Sequence, residues 1–307
     1  MPKVPLVKLG SSHVDAGRFR LLAIDMDGTL LGPDSRVSSR TRAAVHAALD
    51  AGLAITFATG RNWTESRTVL ADVGYEGPCV FVGGASVIDT SNGQTLLCQR
   101  MTASLAQELC GRFEADGHAA CALQDTASAG VDYLISAEYA MSEALTRWLA
   151  VTAATYRRVP PGTLPRHDHA DTVRVGIVAS PQVVDAMQVS LDQQYGNAIV
   201  RHAIHVPAYG VDVLEVFDPG VSKWRGVLCV AERLGIAGDA VIAVGDDVND
   251  VPMLRSAGLG VAMGNARPAA CAAADLVIGP NAEDGLAEFI ESLIAGRIVG
   301  RAVDDAA

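Results

Sequence analysis

Hydrophobic residues fall along this chain in short unbroken blocks near both ends, and each block stops abruptly at polar residues. Leu21-Leu22-Ala23-Ile24 runs into Asp25-Met26-Asp27-Gly28-Thr29-Leu30, Ala54-Ile55-Thr56-Phe57-Ala58 into Thr59-Gly60-Arg61, and Ala240-Val241-Ile242-Ala243-Val244 into Gly245-Asp246-Asp247-Val248-Asn249-Asp250. Apolar runs of this length, bounded by turn residues, read as buried strands, and Cys79–Val82 reads as another. Helical periodicity fills the intervals. One helix covers Ser39–Asp50, with serine at its start and Gly52 past its end, and a second covers Asn62–Val73. A third opens at Val221-Ser222-Lys223, carries Val227, Leu228, Val230, Ala231 and Leu234 on one side, and stops at Gly235. Strands alternating with helices predict an α/β fold with a Rossmann-like parallel-sheet core.

The spacing of these blocks also predicts the domain layout. Between Asp27 and Thr59 there is room for a flap around Gly32 to Asp34 and one helix. Between Arg61 and Lys223 lies far more chain than the sheet requires, and its segments alternate: Thr102–Asp116 and Pro181–Tyr195 read as amphipathic helices, Val173–Ala179 and Val211–Phe217 as strands. The expected layout is a flexible leader over 1–19, a core of 20–88 and 209–307, and an inserted α+β cap over 89–208. The alanine-rich stretch Ala269–Ala274 reads as a helix packed closely on the sheet.

In open α/β sheets, ligands bind at the edge where strands end, so what the blocks deliver there matters. Asp25 and Asp27 end the first strand, Thr59 the second, and Asp246 and Asp250 follow the last, with Lys223 at a helix start. Each has a bland reading alone, as turn residue, helix cap or surface cation. Together they suit phosphoryl chemistry. A carboxylate at Asp25 can attack phosphorus and hold the phosphoryl group as an acyl phosphate, while Asp27 can protonate the leaving oxygen and then activate water. Four converging carboxylates repel one another unless a cation sits among them, and magnesium suits oxygen ligands and phosphate substrates.

At these residues the chain resembles the haloacid-dehalogenase-like superfamily and, within it, the Cof-type sugar-phosphate phosphatases. The resemblance covers about residues 20 to 90 and 210 to 295, including Val261-Ala262-Met263-Gly264-Asn265-Ala266 and Glu283-Asp284-Gly285-Leu286. It implies that the metal is held by Asp25, the main-chain carbonyl of Asp27, and Asp246, with Asp250 acting through water or on Lys223. It further implies that Thr59 and Lys223 hold phosphoryl oxygens and that Gly60, Arg61 and Asn249 help bind substrate. Two departures from the family pattern stand out: Gly83-Gly84-Ala85 replaces Asn-Gly-Ala, and Lys223-Trp224 replaces Lys-Gly. The pattern also places an acid just before the motif lysine, here Glu215, either to orient Lys223 or to solvate a strand end.

Composition removes several alternatives. A net charge of −11 over 307 residues disfavours nucleic acid as a partner, and no uncharged apolar stretch approaches the length of a membrane helix. The first twenty residues lack the apolar centre of a secretory signal. Six scattered cysteines argue against a zinc site or a disulfide framework and suit a cytoplasmic location. His167-Asp168-His169 follows three prolines in a loop and reads as no metal site, and His202 and His205 sit in an extended stretch as surface or packing residues. The expected activity is a magnesium-dependent phosphatase, monomeric or homodimeric, that hydrolyses a small phosphorylated metabolite such as a sugar phosphate through an aspartyl phosphate. A phosphomutase on the same core, or a non-catalytic phosphometabolite-binding protein, are the alternatives. An ion-pumping ATPase would need membrane spans, and a dehalogenase would not need the second aspartate.

Overall fold

The computed structural model describes residues 16–136, 145–146, 149–150, 153–206, 211–298 and 300–303. The described chain forms two compact units, one of residues up to Arg61, Ser66–Leu97 and from Ser222 on, the other of Asn62–Glu65 and Cys98–Val221. Residues 1–15 of the expected leader lie outside the described residues. Its last residues belong to the core: Phe19 is buried, and Arg18 Nη2 donates to the Gly258 carbonyl at 2.9 Å.

The first unit is built on a nine-stranded sheet. From one edge its strands run Arg301–Ala302, Leu276–Val277, Leu259–Ala262, Val241–Gly245, Leu21–Asp25, Ala54–Ala58, Pro78–Phe81, Ser86–Asp89 and Gln94–Cys98. The six from Leu276–Val277 to Pro78–Phe81 are parallel. Leu21, Leu22, Ala23 and Ile24 are all fully buried, as a strand covered on both faces demands, and this is why the sequence shows an unbroken apolar run there rather than alternation. Leu21–Asp25 has Val241–Gly245 on one side and Ala54–Ala58 on the other. The chain order reverses at this strand, and a crevice opens at such a point beyond the strand ends.

The flanking helices follow from local chemistry. Ser38 caps the Ser39–Asp50 helix, its Oγ accepting from the Thr41 N–H at 3.0 Å, and Thr41, Ala44, Val45 and Ala48 form the buried stripe. The Lys223–Arg233 helix is capped by Ser222, whose side chain accepts from the Arg225 N–H at 3.3 Å. Its N-terminus is pressed against Gly84. A Cβ on Gly84, whose φ is +104°, would lie 1.9 Å from the Ser222 carbonyl oxygen, so only glycine lets the loop after Pro78–Phe81 set the position of Lys223. Trp224 packs into the apolar cluster of this unit, which includes Leu21, Val80 and Val227. The alanine-rich stretch contributes a helix of one turn only, Pro268–Cys271, because Pro268 starts it and Ala272 already caps it; Ala270 is its buried contact.

The second unit is a six-stranded sheet in the order Val200–Val206, Val211–Phe217, Thr172–Ala179, Cys121–Gln124, Tyr133–Ser136 and Tyr156–Val159, antiparallel except for the last pair. The Ala103–Ala115 and Pro181–Tyr195 helices cover one face, where Leu109, Phe113, Val184 and Leu191 meet Val175, Ile177, Leu214 and Val216. Both expected domain boundaries, 88/89 and 208/209, move toward the C-terminus, to Leu97/Cys98 and Val221/Ser222. Ser86–Asp89 pairs with Pro78–Phe81 and carries the core sheet on to Gln94–Cys98. Val211–Phe217, placed by its number in the core range, pairs with Thr172–Ala179 instead. Hydrogen-bond partners, not position in the chain, decide which sheet a strand joins.

Gly84→Ala should therefore lower the denaturation midpoint by an equivalent of about 2–4 kcal/mol, from backbone strain and overpacking together. Gly52→Ala is the control, since Gly52 also has positive φ (+85°) but nothing within 4 Å of its Cβ position, and should cost only about 1 kcal/mol. Urea melts of the two variants check the difference.

Candidate active site

Three parallel strands and one helix N-terminus deliver the charged groups. Asp25 lies in register with Ala58, so Thr59 is the next residue along the neighbouring strand. Ile24 lies opposite Val244, which brings the Gly245-Asp246 turn beside Asp25. One oxygen from each of Asp25, Asp246 and Asp250 lies within 4.8 Å of the others. The Lys223 ammonium stands between two of them, donating to Asp25 Oδ1 at 2.5 Å and to Asp250 Oδ1 at 2.6 Å, with lysine and both carboxylates buried. The other oxygen of Asp250 accepts from the N–H groups of Asp246 and Asp247, both at 2.9 Å. Asp250 thus fixes both the lysine and the turn that carries Asp246.

The electrostatics follow from two buried acids, a third half-buried one and one buried base. Burial first, and then the charge of Asp250, raise the Asp25 carboxyl well above the usual carboxylate range, with Lys223 opposing them in part. Burial and Asp250 likewise push Asp246 up to about 6. Burial alone would lower Lys223, but the carboxylates of Asp25 and Asp250 reverse this and hold the ammonium charged above its ordinary value. An all-oxygen set with excess negative charge suits a hard divalent cation. Asn249, next to Asp250, adds a buried Oδ1 with no hydrogen-bond partner among the described residues.

The turn after Asp25 is irregular, with Asp27 extended (φ −81°, ψ 120°) and Gly28 left-handed (φ +81°). A Cβ on Gly28 would lie 2.2 Å from an Asp246 carboxylate oxygen, so the motif glycine is what lets the two acidic loops approach. Asp27 itself points elsewhere. Its carboxylate is exposed and gripped by Arg61, with Nε to Oδ2 at 2.9 Å and Nη2 to Oδ1 at 2.5 Å, a bidentate fork. Thr59 is fully buried and its Oγ1 accepts from the Arg61 N–H at 3.1 Å, which ties Gly60 and Arg61 into a tight turn. Gly83, at the Asn-Gly-Ala departure, donates its N–H to the Thr59 carbonyl at 2.9 Å.

Several sequence expectations change at this point. Glu215 neither orients Lys223 nor solvates a strand end. It is buried in the six-stranded sheet and ion-paired with Arg174, whose Nη2 donates to Tyr133 Oη at 2.9 Å. His169, read from the sequence only as no metal ligand, is buried, with Nδ1 bonded to Thr172 Oγ1 at 2.8 Å and Nε2 to the Leu164 carbonyl at 2.7 Å. His205 pairs with Asp212 at 2.6 Å, and His202 packs on the Phe217 ring. The sequence also gave no role to Thr29, whose Oγ1 donates to Asp246 Oδ1 at 3.2 Å, or to Asn265, whose Nδ2 donates to the Gly28 carbonyl at 2.9 Å. Both lie in motifs already noted, but their partners come from distant loops.

Comparison with known proteins places this geometry. Residues 22–290 match the family model of haloacid dehalogenase-like hydrolases. An HMP-PP phosphatase of Serratia proteamaculans is 29% identical over 250 residues, covering 81% of this chain and 85% of its own. A 5-amino-6-(5-phospho-D-ribitylamino)uracil phosphatase of Bacillus subtilis is 28% identical over 294 residues, covering 91% and 99%. A HAD/COF-like hydrolase of Plasmodium vivax has the same fold, with a TM-score of 0.75 at 21% identity over 89% of this chain and 95% of the other. Among the described residues, no helix is long and apolar enough to cross a membrane. With a match that runs from the first strand to the last long helix, the chain belongs to the haloacid dehalogenase-like hydrolases.

Proposed function

We propose that the protein is a magnesium-dependent phosphatase acting on a small phosphorylated metabolite through an aspartyl phosphate at Asp25. The observation that carries the reading is the buried Asp25 carboxylate at a strand end, held by Lys223 and faced by Asp246. The phosphatase names of the two relatives support the activity, and the phosphate on a ribityl chain in one of them supports a sugar-like substrate. Magnesium would be held by Asp25, Asp246 and the main-chain carbonyl of Asp27, with Asp250 bracing Lys223 and the Asp246 turn. When bound, the ion supplies charge that offsets the carboxylates and polarises the phosphoryl oxygens.

The residues divide the rest of the work. Lys223 orients the Asp25 carboxylate and, with the Thr59 hydroxyl and Asn249, balances charge on the phosphoryl group during transfer. A bond forms between an Asp25 oxygen and phosphorus as the bond from phosphorus to the leaving oxygen breaks, and Asp27 gives that oxygen its proton. Water then attacks the phosphorus of the acyl phosphate and passes a proton to Asp27; orthophosphate leaves and the Asp25 carboxylate returns. Arg61 donates to both oxygens of Asp27 here, which leaves each oxygen a second lone pair at which a proton can be exchanged with substrate.

Three outcomes test the reading. Asp25→Asn should cut phosphate release from p-nitrophenyl phosphate by more than about a thousandfold while the far-ultraviolet dichroism stays as in the parent. Asp27→Ala should slow hydrolysis of an alkyl phosphate such as ribitol 5-phosphate about a hundredfold or more, and p-nitrophenyl phosphate clearly less, because a phenolate leaves without a proton. Equal losses on both would remove the acid role. The third concerns pH. A carboxyl whose folded pKa is raised to about 6 contributes stability that is fully present below the ordinary carboxylate range and lost as pH rises through about 6; magnesium needs the anion and acts in the opposite direction. Saturating magnesium should therefore raise the melting temperature strongly at about pH 7.5, by the equivalent of about 2.7 kcal/mol at a hundred times its dissociation constant, and much less at about pH 5. A shift that does not depend on pH would place the ion elsewhere.

A further inference from the structure

The two stretches Val261–Ala266 and Glu283–Leu286 stand out in the sequence, yet neither contributes a group to the carboxylate cluster. Their loops do something else. The loop leaving the Leu259–Ala262 strand reaches both acid-bearing loops: Asn265 Nδ2 donates to the Gly28 carbonyl at 2.9 Å, and the Arg267 N–H donates to the Asp246 carbonyl at 2.8 Å. Behind it, Asn265 Oδ1 accepts from the Asn281 N–H at 2.9 Å, and Asn281 Nδ2 donates to the Leu31 carbonyl at 2.8 Å. The two asparagines are thus bonded to each other and to both ends of the Gly28–Leu31 turn. Both polar ends of the Asn265 amide are engaged, which fixes its orientation.

That turn needs an external hold. Its angles are non-helical at Asp27 and Gly28, and the Leu31 N–H to Met26 carbonyl bond at 2.8 Å closes it on itself. The Gly28 carbonyl is one peptide from the Asp27 carbonyl, and Asp25 is two residues before that. Asn265 is exposed, so it is no part of the core, and an exposed bond of this type adds little to folding. Its effect falls on where the turn sits relative to Asp246.

Resting on the magnesium reading above, we propose that Asn265, backed by Asn281, is a positioning residue for the cation site: it sets the spacing of Asp25 and the Asp27 carbonyl from Asp246. Outer partners of metal ligands typically change affinity by about 10–100-fold when removed. Calorimetric titration of the protein with magnesium alone, without substrate, tests this. Asn265→Ala should bind magnesium about 10–100-fold more weakly than the parent, and its metal-free melting temperature should move little. Its kcat on p-nitrophenyl phosphate should fall at limiting magnesium and recover when magnesium is raised, with KM for the ester nearly unchanged. Asn281→Ala, which leaves the bond from Asn265 to Gly28 in place, should show a smaller loss in the same direction, and the double variant should be little worse than Asn265→Ala, because the pair acts as one unit. Magnesium affinity in Asn265→Ala within twofold of the parent overturns the proposal, as does a loss that only follows a large fall in metal-free melting in both single variants. If the parent itself gives no heat with magnesium, the functional reading fails and this proposal with it.

Discussion

Lys223 brings one positive charge into a site with two buried carboxylates and a third half-buried, and most of the first unit can be understood as the means of holding it there. A buried ammonium is tolerated only when its neighbours are charged and well placed; here Asp25 and Asp250 stand at 2.5 and 2.6 Å. The lysine opens a helix, where the backbone dipole is unfavourable to a cation, so the two carboxylates must offset both dipole and burial. The close approach of Gly84 to the Ser222 carbonyl fixes that helix start against the loop after a third strand. The excess of negative charge that remains suits a divalent cation, and only with such a charge in place would the repulsion of a phosphate anion be offset.

Division of labour among the four acids follows from burial. Asp25 and Asp250 share the lysine, Asp246 is half-buried with a carboxyl raised to about 6, and Asp27 is turned outward to Arg61. Carboxylates two residues apart in sequence thus sit in different surroundings, because the strand ends between them and the chain bends through Gly28. The side chain of Asp25 belongs to the carboxylate cluster, and that of Asp27 is turned away from it to Arg61. This separation is what a nucleophile and a proton carrier require of two chemically identical side chains.

The parts of this arrangement that were legible in the sequence are those set by local pattern. Apolar runs ending at Asp25, Ala58 and Gly245 marked buried parallel strands, and the helix beginning at Lys223 and its serine cap were visible for the same reason. What was not legible depends on partners far along the chain. Glu215 looked like a neighbour of Lys223 by number, but the sheet register sets it beside Arg174, 41 residues away. The same register draws Val211–Phe217 into the second sheet and moves the domain boundary. The grip of Arg61 on Asp27 and the bonds of Asn265 and Asn281 could not be read either, since each joins a loop to a carbonyl or carboxylate on another strand end.

The account rests on covalent capture of phosphate by Asp25, and chemical trapping reads that step directly. The protein, supplied with p-nitrophenyl phosphate and magnesium, would be quenched in acid during turnover, reduced with borohydride and digested for mass spectrometry. An acyl phosphate is reduced where a free carboxylate is not, so residue 25 should appear as homoserine in the treated sample, with Asp27, Asp246 and Asp250 unchanged. An enzyme that releases phosphate while Asp25 is recovered intact, or that carries the reduced residue elsewhere, would contradict the account.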